Sequence, residues 1–247
     1  SMFVPKWYWF AISLFITLTI AVLYLLSTPP IYTRTAAILV KDNSKSSSST
    51  SAMNDFSDLG IFKSNTNINN ELLTLKSPTL MTEVVNRLGL NETFTIRKGL
   101  KNVDLYKVSP VTITFCDKIE VPISFTIKFS SKEAFAISEL EISGEDIGET
   151  LSAQMGDSIQ TSAGIMIVSP TQEFTDAFIG TSIRYVRGSV RAAVDTYSNA
   201  LVAELGNEDA TIINLSINDT SIRKAEDILN TLIEVYNENW IRDKNQI

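Results

Sequence analysis

The stretch INNELLTLKSPTLMTEVVNRLGL, residues 68–90, has the pattern of two joined amphipathic helices. Its apolar residues recur three and four positions apart, as expected for one helix face. They are Ile68, Leu72, Leu75, Leu80 or Met81, Val84 and Leu88. Ser77 suits an N-cap, Pro78 suits the first helical position, and Gly89 suits a left-handed stop. The sequence therefore predicts a short helix, a turn at residues 76–78, and a second helix that ends at Leu88.

The composition excludes several kinds of chemistry. The 247 residues include no histidine and a single cysteine, Cys116. A Ser-His-Asp triad, a Cys-His pair, a His-ligated metal site and an intrachain disulfide are therefore ruled out. The sequence also lacks a G-x-x-x-x-G-K-[ST] phosphate loop. We expect no cofactor and no metal site, while a hydrolase that uses a serine and a lysine remains possible on composition alone. The net charge of −7 argues against nucleic acid as a partner, because phosphate contacts need a basic surface.

A membrane anchor is predicted near the N-terminal end. Residues 7–26, WYWFAISLFITLTIAVLYLL, run for twenty positions without a charge. At ~1.5 Å per residue such a helix spans ~30 Å, the thickness of the hydrocarbon layer. Trp7 and Trp9 at one end and Tyr24 at the other fit the aromatic belts at the two bilayer surfaces. Membrane lipid is thus an expected partner.

The residues on either side of this segment predict its orientation. Lys6 precedes the apolar run, and the first basic residue after it is Arg34. This bias places residues 1–6, a stub whose Ser1 we interpret as a cloning remnant, in the cytoplasm and the bulk of the chain outside. One alternative is a buried core helix, but such a helix rarely reaches this length without a charge. The other is a cleaved signal peptide, whose apolar run is shorter; here the two prolines of STPPIY stop the helix.

A strand and a loop are predicted after the anchor. Residues 31–40, IYTRTAAILV, are rich in β-branched side chains and predict a strand. Residues 42–66 contain eight serines with Asn, Asp and Thr, which predicts a mobile loop. A serine nucleophile or modification site is the alternative interpretation, but a solvated linker fits this composition better.

The middle of the chain changes to a period of two. Strands are predicted at residues 111–116, 123–129, 134–142, 157–161 and 164–170, with glycines between several of them. Short strands with regular turns favour a small antiparallel sandwich or jelly-roll module. Residues 132–157 contain seven acids and one lysine, so a cation site is one interpretation. Solvated surface is the other, and we favour it because no D-x-[DN]-x-[DN]-G loop is present.

Residues 182–198 predict a helix with three arginines beside its apolar stripe. The stripe is Ile183, Val186, Val190, Val194 and Tyr197. Arg184, Arg187 and Arg191 follow i, i+3, i+7 spacing and are candidate contacts for an anionic glycan or for carboxylates of a neighbouring subunit. Alternatively they are the solvated edge of a core helix, with Arg191 paired to Asp195.

The C-terminal part predicts a hairpin and a helix. Residues 201–217 form a hairpin that turns at residues 206–207, and its strands should share one sheet with residues 31–41. A helix then begins in the cluster at residues 218–221 and continues to the end without a C-cap signal. We therefore expect the natural chain to continue beyond Ile247.

In this order, the elements resemble those of the polysaccharide co-polymerases, which comprise the Wzz-type chain-length determinants and the extracytoplasmic domains of bacterial tyrosine autokinases. The resemblance rests on PPIYTRTAAILV, NINNELLTLKSPTLMTEVVNRLGL and ATIINLSINDTSIRKAEDILNTLIEVYNENWIRDKN, and covers about residues 31–100 and 181–247. It implies an α+β fold with an N-terminal transmembrane helix and a long C-terminal helix. A membrane-proximal, mixed α/β Wzz-like domain would comprise residues 31–105 and 181–247, and the inserted antiparallel β module residues 106–180.

The resemblance also implies a function. Such proteins form ring-like homo-oligomers in the bacterial inner membrane and set the length of a capsular, exopolysaccharide or O-antigen (lipopolysaccharide) glycan. The implied partners are other copies of the chain, a polysaccharide polymerase or an outer-membrane exporter, and the glycan itself. The bulk of this single-pass chain would be periplasmic and non-catalytic. In the autokinase branch a second membrane span and a cytoplasmic tyrosine kinase domain would follow.

Two other functions share features with this sequence. A membrane-fusion-type adaptor of a secretion or efflux system also has one anchor, but it needs a long helical hairpin between two halves of a lipoyl-like β unit. An anchored Ser/Lys hydrolase needs a serine and a lysine that converge in a cleft with an oxyanion hole, and no motif singles out such a pair.

Overall fold

The computed structural model describes residues 7–40, 61–117, 119, 121–206 and 212–245. The predicted cytoplasmic stub, most of the predicted Ser-rich loop, Asn207 of the predicted turn and the chain end at Ile247 lie outside these residues. The helices are α1 (Trp7–Ser27), α2 (Ile61–Leu75), α3 (Pro78–Leu88), α4 (Val190–Ala200) and α5 (Ile222–Asn245). A short 3-10 turn spans Asp176–Phe178.

The described residues form thirteen strands in three sheets. They are β1 (Tyr32–Leu39), β2 (Glu92–Lys98), β3 (Lys101–Asp104), β4 (Val111–Phe115), β5 (Ile123–Phe129), β6 (Ala134–Ile142), β7 (Glu145–Asp146), β8 (Leu151–Gln154), β9 (Ser158–Thr161), β10 (Gly164–Pro170), β11 (Ser182–Arg187), β12 (Leu201–Leu205) and β13 (Ile212–Asp219). The pairings within all three sheets are antiparallel, so the chain has a mixed α+β fold with an apolar N-terminal helix.

The first core forms around a three-stranded sheet in the order β1-β13-β12. The register pairs Tyr32 with Asp219 and Leu39 with Ile212, and Leu201 pairs with Ile217. This confirms the predicted pairing of the strand behind the anchor with the C-terminal hairpin. Residues from α2, α3, α4 and α5 complete the core with the sheet, so segments from both ends of the chain build one body.

The turn between the two helices of the opening stretch and the end of the second helix form as predicted. The Ser77 hydroxyl accepts a hydrogen bond from the Thr79 N–H at 3.2 Å, and Pro78 is the first residue of α3. Gly89 ends α3 with φ +63°, a left-handed conformation that glycine adopts without a Cβ penalty. Four apolar side chains of α3 are buried, and each contributes ~1.5–3 kcal/mol on transfer from water. They are Leu80, Met81, Val84 and Val85.

The helix α2 begins earlier than the sequence suggested. We predicted a loop over residues 42–66, but residues 61–66 belong to α2. Ser, Asn and Thr each disfavour a helix by less than ~1 kcal/mol. The later turns of α2 pack in a core, so the helix can extend over these residues despite that cost. Ile68 and Leu75 provide that packing, since both are buried.

A second core forms from residues 96–185. One contributing sheet has the order β3-β2-β11-β5-β6-β7, with β8 paired to β6, and the other has the order β4-β10-β9. The strands predicted in the middle of the chain are confirmed as β4, β5, β6, β9 and β10. Residues 92–104 and 182–187, which we assigned to the Wzz-like domain, lie instead in the larger of these sheets.

The predicted helix over residues 182–198 is wrong. The segment forms a strand, β11, then a break, then the helix α4. Ile183 and Tyr185 are fully buried two positions apart, because β11 pairs with β2 on one side and β5 on the other. At the break, the Gly188 N–H donates to the Asn91 carbonyl at 2.8 Å, and the Ser189 hydroxyl caps α4.

The C-terminal helix α5 packs its apolar stripe into the first core. It begins after Ser221, whose hydroxyl accepts a hydrogen bond from the Lys224 N–H at 3.3 Å. Six residues of its apolar face are buried, namely Ala225, Ile228, Leu229, Leu232, Val235 and Tyr236. Ile222 and Trp240, toward the two ends of α5, are exposed.

Candidate functional site

The helix α1, predicted to be the membrane anchor, is exposed over its whole length. By length and composition it is a candidate membrane span. Two threonine hydroxyl groups in its middle are satisfied within the helix: Thr17 donates to the Ser13 carbonyl at 2.9 Å and Thr19 to the Phe15 carbonyl at 2.8 Å. Such internal bonds are what a hydrocarbon environment requires of polar side chains.

The aromatic residues predicted to mark the bilayer surfaces lie at the two ends of α1. Trp7 and Trp9 are in its first turn and Tyr24 is in its last, and all three are exposed. Their contact with lipid headgroups stays a prediction. Only residues 28–31 separate α1 from β1. At ~3.5 Å per step, the five steps from Ser27 to Tyr32 reach at most ~18 Å, so the first core begins close to the end of α1.

The first strand is joined to the C-terminal helix by an ion pair. The Arg34 Nε lies 3.0 Å from a Glu226 carboxylate oxygen. Both side chains are about half-exposed, so this pair contributes at most ~1 kcal/mol. The strand pairing and the buried face of α5 therefore provide most of the cohesion between the anchored strand and the end of the chain.

The two cores meet at a cluster of charged and aromatic residues, which we call the junction. Its members are Asp104, Tyr106, Lys107, Tyr197, Lys224 and Asp227. Lys224 of α5 forms an ion pair with Asp104 at the end of β3, and both side chains are buried. Lys107 forms a second pair with Asp227 of α5 at 2.7 Å. Both pairs connect the end of β3, or the turn that follows it, to the C-terminal helix α5.

The ring of Tyr106 is close to both lysines of the junction. The Lys107 and Lys224 ammonium groups are each 5.5 Å from its centroid, which is within cation–π range. Burial lowers the pKa of Lys224, but Tyr197 and Asp104 raise it above the ordinary value overall. Burial is also the main cause that raises the pKa of Tyr106 and of Tyr197. Lys224 is therefore charged and both tyrosines are neutral at physiological pH.

A cleft of about 290 Å³ lies beside the junction. Phe94, Asp104 and Tyr106 line it together with hydroxyl side chains and the end of α3. The volume is just below the ~300–1,000 Å³ typical of ligand sites. Among the described residues, no three His, Cys, Asp or Glu side chains are placed to hold a metal ion.

Two of the three arginines predicted as contact residues have partners within the chain. Arg184 lies 3.0 Å from Glu141 and 3.6 Å from Glu139, and it donates to the Ser124 hydroxyl at 3.0 Å. The hydrogen bond from Ser124 and those from Arg184 lower the pKa of Glu141.

Arg187 lies 3.4 Å from Glu92 and stacks at 5.1 Å over the ring of Phe115. Burial raises the pKa of Glu92, although the charge of Arg187 opposes this shift.

Arg191 lies apart from the other two. Arg191 is exposed on α4, a helix that packs into the first core through its other side, whereas Arg184 and Arg187 are on β11. The three side chains do not form the single row that a helix over residues 182–198 would have given. Within the described part of the chain, no ion pair joins Arg191 to Asp195, so that prediction is wrong as well. A contact of any of the three with glycan or a neighbouring subunit stays a prediction.

Sequence reasoning missed the long-range pairs that join the elements. Asp104 and Lys224 are 120 positions apart, and Arg87 and Glu238 are 151 apart. A lysine next to the buried Ala225 was the available signal, because a charged residue at the border of an apolar stripe needs a partner. Nothing in the local pattern identifies that partner.

Comparison with protein families relates the N-terminal part of the chain to a known family. The family model of Wzz, the chain length determinant protein, matches residues 1–88, which include α1, β1, α2 and α3. This confirms the resemblance to the polysaccharide co-polymerases over 88 of the 247 residues. The Wzz family is associated with the inner membrane and consists of non-catalytic chain-length regulators. No curated protein matches the chain significantly. The resemblance of residues 181–247 lies beyond the match and stays a prediction.

Proposed function

We propose that this chain is the anchored, exported part of a polysaccharide co-polymerase that sets the length of a bacterial glycan. The observation that carries the proposal is the Wzz family match over residues 1–88. The architecture supports it, because the matched strand and helix pair share one core with the C-terminal strands and α5. Those are the same elements that carried the resemblance in the sequence.

The proposed location is the periplasmic side of the inner membrane. The candidate span α1 supports membrane attachment, and the lysine before it supports a cytoplasmic N-terminus. In this arrangement the body stays within one short link of the bilayer. It would meet a glycan polymerase or an outer-membrane exporter and guide capsular, exopolysaccharide or O-antigen chains.

The proposed action is physical rather than chemical. The chain would assemble with further copies of itself into a ring, and the assembly would limit how far the glycan grows. We further propose that the two sheets of the second core form an inserted sandwich or jelly-roll module, which is supported by their shared apolar interior.

The adaptor alternative receives less support. It needs a long helical hairpin, whereas α2 and α3 have 15 and 11 residues. Those two helices pack within the first core with the sheet and α5. The hydrolase alternative also receives less support. Lys107 and Ser109 both line the cleft at the junction, but Lys107 is paired with Asp227 and the Ser109 hydroxyl donates to the Val111 carbonyl at 2.7 Å.

The test is the glycan length distribution of the source bacterium. Deleting the gene should broaden the modal length of one surface or secreted glycan, and expression of the intact protein should restore it. A variant with a disrupted anchor, Leu18→Arg, should fail to restore it, because a central arginine costs ~2.5–3.5 kcal/mol of insertion. Leu18→Ala is the matched control and should complement. An unchanged length distribution after deletion would refute the proposal.

A further inference from the structure

The larger sheet of the second core has opposite charges at opposite edges. Its order, β3-β2-β11-β5-β6-β7, places the β2–β3 hairpin at one edge and the β6–β7 hairpin at the other. With ~4.8 Å between neighbouring strands, the five intervals separate these edges by ~24 Å. Charges this far apart in the same chain do not neutralise each other, since the Debye length is ~8 Å at physiological salt.

The first edge carries what we call the basic corner, formed by Arg97, Lys98 and Lys101. Arg97 and Lys98 are exposed and Lys101 is half-buried. The Arg97 Nε donates at 3.3 Å to the Gly99 carbonyl of its own hairpin. Within the described ranges, none of the three forms an ion pair. Leu100 at the tip of the hairpin is 50% exposed, which gives the basic corner an apolar centre.

The opposite edge carries what we call the acidic corner, formed by Glu145 and Asp146 of β7. Both residues are exposed. The Asp146 carboxylate accepts only the N–H of Gly148, at 2.9 Å, among the residues that the structure describes. Ile147 beside them is 41% exposed. Each corner therefore combines unpaired charge with one exposed aliphatic side chain, and the signs are complementary.

The strand register places the two corners diagonally across the sheet. Ile183 of β11 pairs with Ile96 of β2 and with Ile127 of β5, so the basic corner lies toward the C-terminal end of β5. At the other edge, Glu145 pairs with Ile142, which is level with Ile123 at the start of β5. The corners thus point in opposite directions and are both available to other molecules.

We propose that the basic corner of one copy of this chain docks against the acidic corner of the next copy. The contact is heterologous, so each added copy presents one free corner of each sign. Such contacts propagate and close into a ring when the rotation between copies permits it. Charge complementarity favours a second copy as the occupant, because one chain supplies both halves of the contact. The inference rests on the proposed self-assembly and specifies which surfaces meet.

Charge reversal tests the pairing. One variant carries Arg97→Glu, Lys98→Glu and Lys101→Glu, and a second carries Glu145→Lys and Asp146→Lys. In detergent-solubilised full chain, each variant alone should raise the dissociation constant of self-association at least tenfold, by sedimentation velocity. An equimolar mixture of the two should restore assembly, because each then finds corners of opposite sign. Lys76→Glu and Glu234→Lys, at exposed positions of the first core, are matched controls and should assemble like the wild type.

Disulfide trapping tests the geometry. In a Cys116→Ser background, chains with Leu100→Cys and chains with Ile147→Cys should crosslink after mixing, and neither should crosslink alone. A crosslink between two copies of the Leu100→Cys chain would overturn the heterologous arrangement. Undiminished assembly of both charge-reversed variants would also overturn it. The same holds if the variants assemble normally and lose only the binding of an acidic glycan.

These results separate the contact from the proposed function. If the wild type assembles and the reversed variants assemble equally well, the corner contact is wrong and the glycan proposal stands. If the wild type does not self-associate, the corner contact and the ring both fail. If deletion of the gene leaves the glycan length unchanged, the proposed function is wrong, whatever the corner contact does.

Discussion

Lys224 in the first turn of α5 is bonded to Asp104, 120 positions earlier, at the end of β3. The contact joins the C-terminal helix, which is part of the first core, to an edge strand of the second. The Asp104 carboxylate also accepts the N–H of Tyr106 at 3.0 Å, so its position is fixed from both sides. The relative placement of the two cores therefore depends on a buried ion pair as well as on the chain connections near Asn91.

Breaking this pair should destabilise the protein strongly. Lys224→Met leaves the Asp104 carboxylate buried without its cation, and the side chains of the pair are only 8% and 12% exposed. We expect a loss of ~3–5 kcal/mol in the free energy of unfolding, measured by urea denaturation followed by circular dichroism.

The matched control for that change is Arg34→Met in the half-exposed pair with Glu226, which should cost less than ~1 kcal/mol. The double variant Lys224→Met/Asp104→Leu should be more stable than Lys224→Met alone, because no uncompensated charge is left. Equal losses for the buried and the exposed pair would contradict this account.

Acid should weaken the contact between α3 and α5. A hydrogen bond from Arg87 is the largest cause that lowers the pKa of Glu238; burial raises it, and the charges of Arg87 and Arg242 lower it further. Glu83 shares the same arginine, at 2.6 Å. A carboxylate with a lowered pKa binds protons less readily in the folded state. Stability is therefore present above the ordinary value of 4.5 and is lost as the pH falls through the folded value.

The prediction is a smaller acid sensitivity in Glu238→Gln. Between about pH 6 and pH 3, the melting temperature of this variant should fall less than that of the wild type. Glu234→Gln, an exposed position of the same helix, is the control and should retain the wild-type slope. Identical slopes for Glu238→Gln and the wild type would show that the bond with Arg87 makes no contribution.

The end of α3 should tolerate asparagine better than alanine. Gly89 has φ +63°, and a Cβ at this position would meet no atom within 4 Å. The cost of a substitution is therefore backbone strain, ~1–2 kcal/mol for Gly89→Ala. Gly89→Asn should cost less, because asparagine visits the left-handed region more readily. The comparison requires urea midpoints for both variants, and a better midpoint for alanine would argue against strain as the cause.

The features that sequence reasoning predicted correctly are those with local causes. The Ser77 cap, the proline that follows it and the Gly89 stop each depend on a few neighbouring residues. The alternation in β4 and β5 likewise follows from one face meeting a core. The helix α1 was predictable from the length of its uncharged run, which is visible in the sequence itself.

The features that were missed depend on partners far along the chain. Ile183 and Val186 fit a helical stripe, and only pairing with β2 and β5 makes this segment a strand. The spatial arrangement of Arg184 and Arg191 changed with it, because one lies on a strand and the other on a helix. The pairing of the hairpin with β1 was predictable only through the resemblance, since no local pattern sets a register across 180 residues.

The single cysteine offers a direct test of orientation. Cys116 is exposed, and it follows β4 in the second core. If the body is periplasmic, a membrane-impermeant maleimide should label Cys116 in intact spheroplasts to the same extent as in lysed ones. The mass shift of the protein on a gel measures the labelled fraction.

The control for that measurement moves the thiol to the other side of the anchor. Val4→Cys in a Cys116→Ser background places it before the apolar run, in the segment predicted to be cytoplasmic. It should react only after lysis, because the bilayer excludes the charged reagent from the cytoplasm. The reverse pattern, with Val4→Cys labelled and Cys116 protected in intact spheroplasts, would place the body in the cytoplasm. A cytoplasmic body could not meet an exported glycan, so the orientation result bears directly on the proposed function.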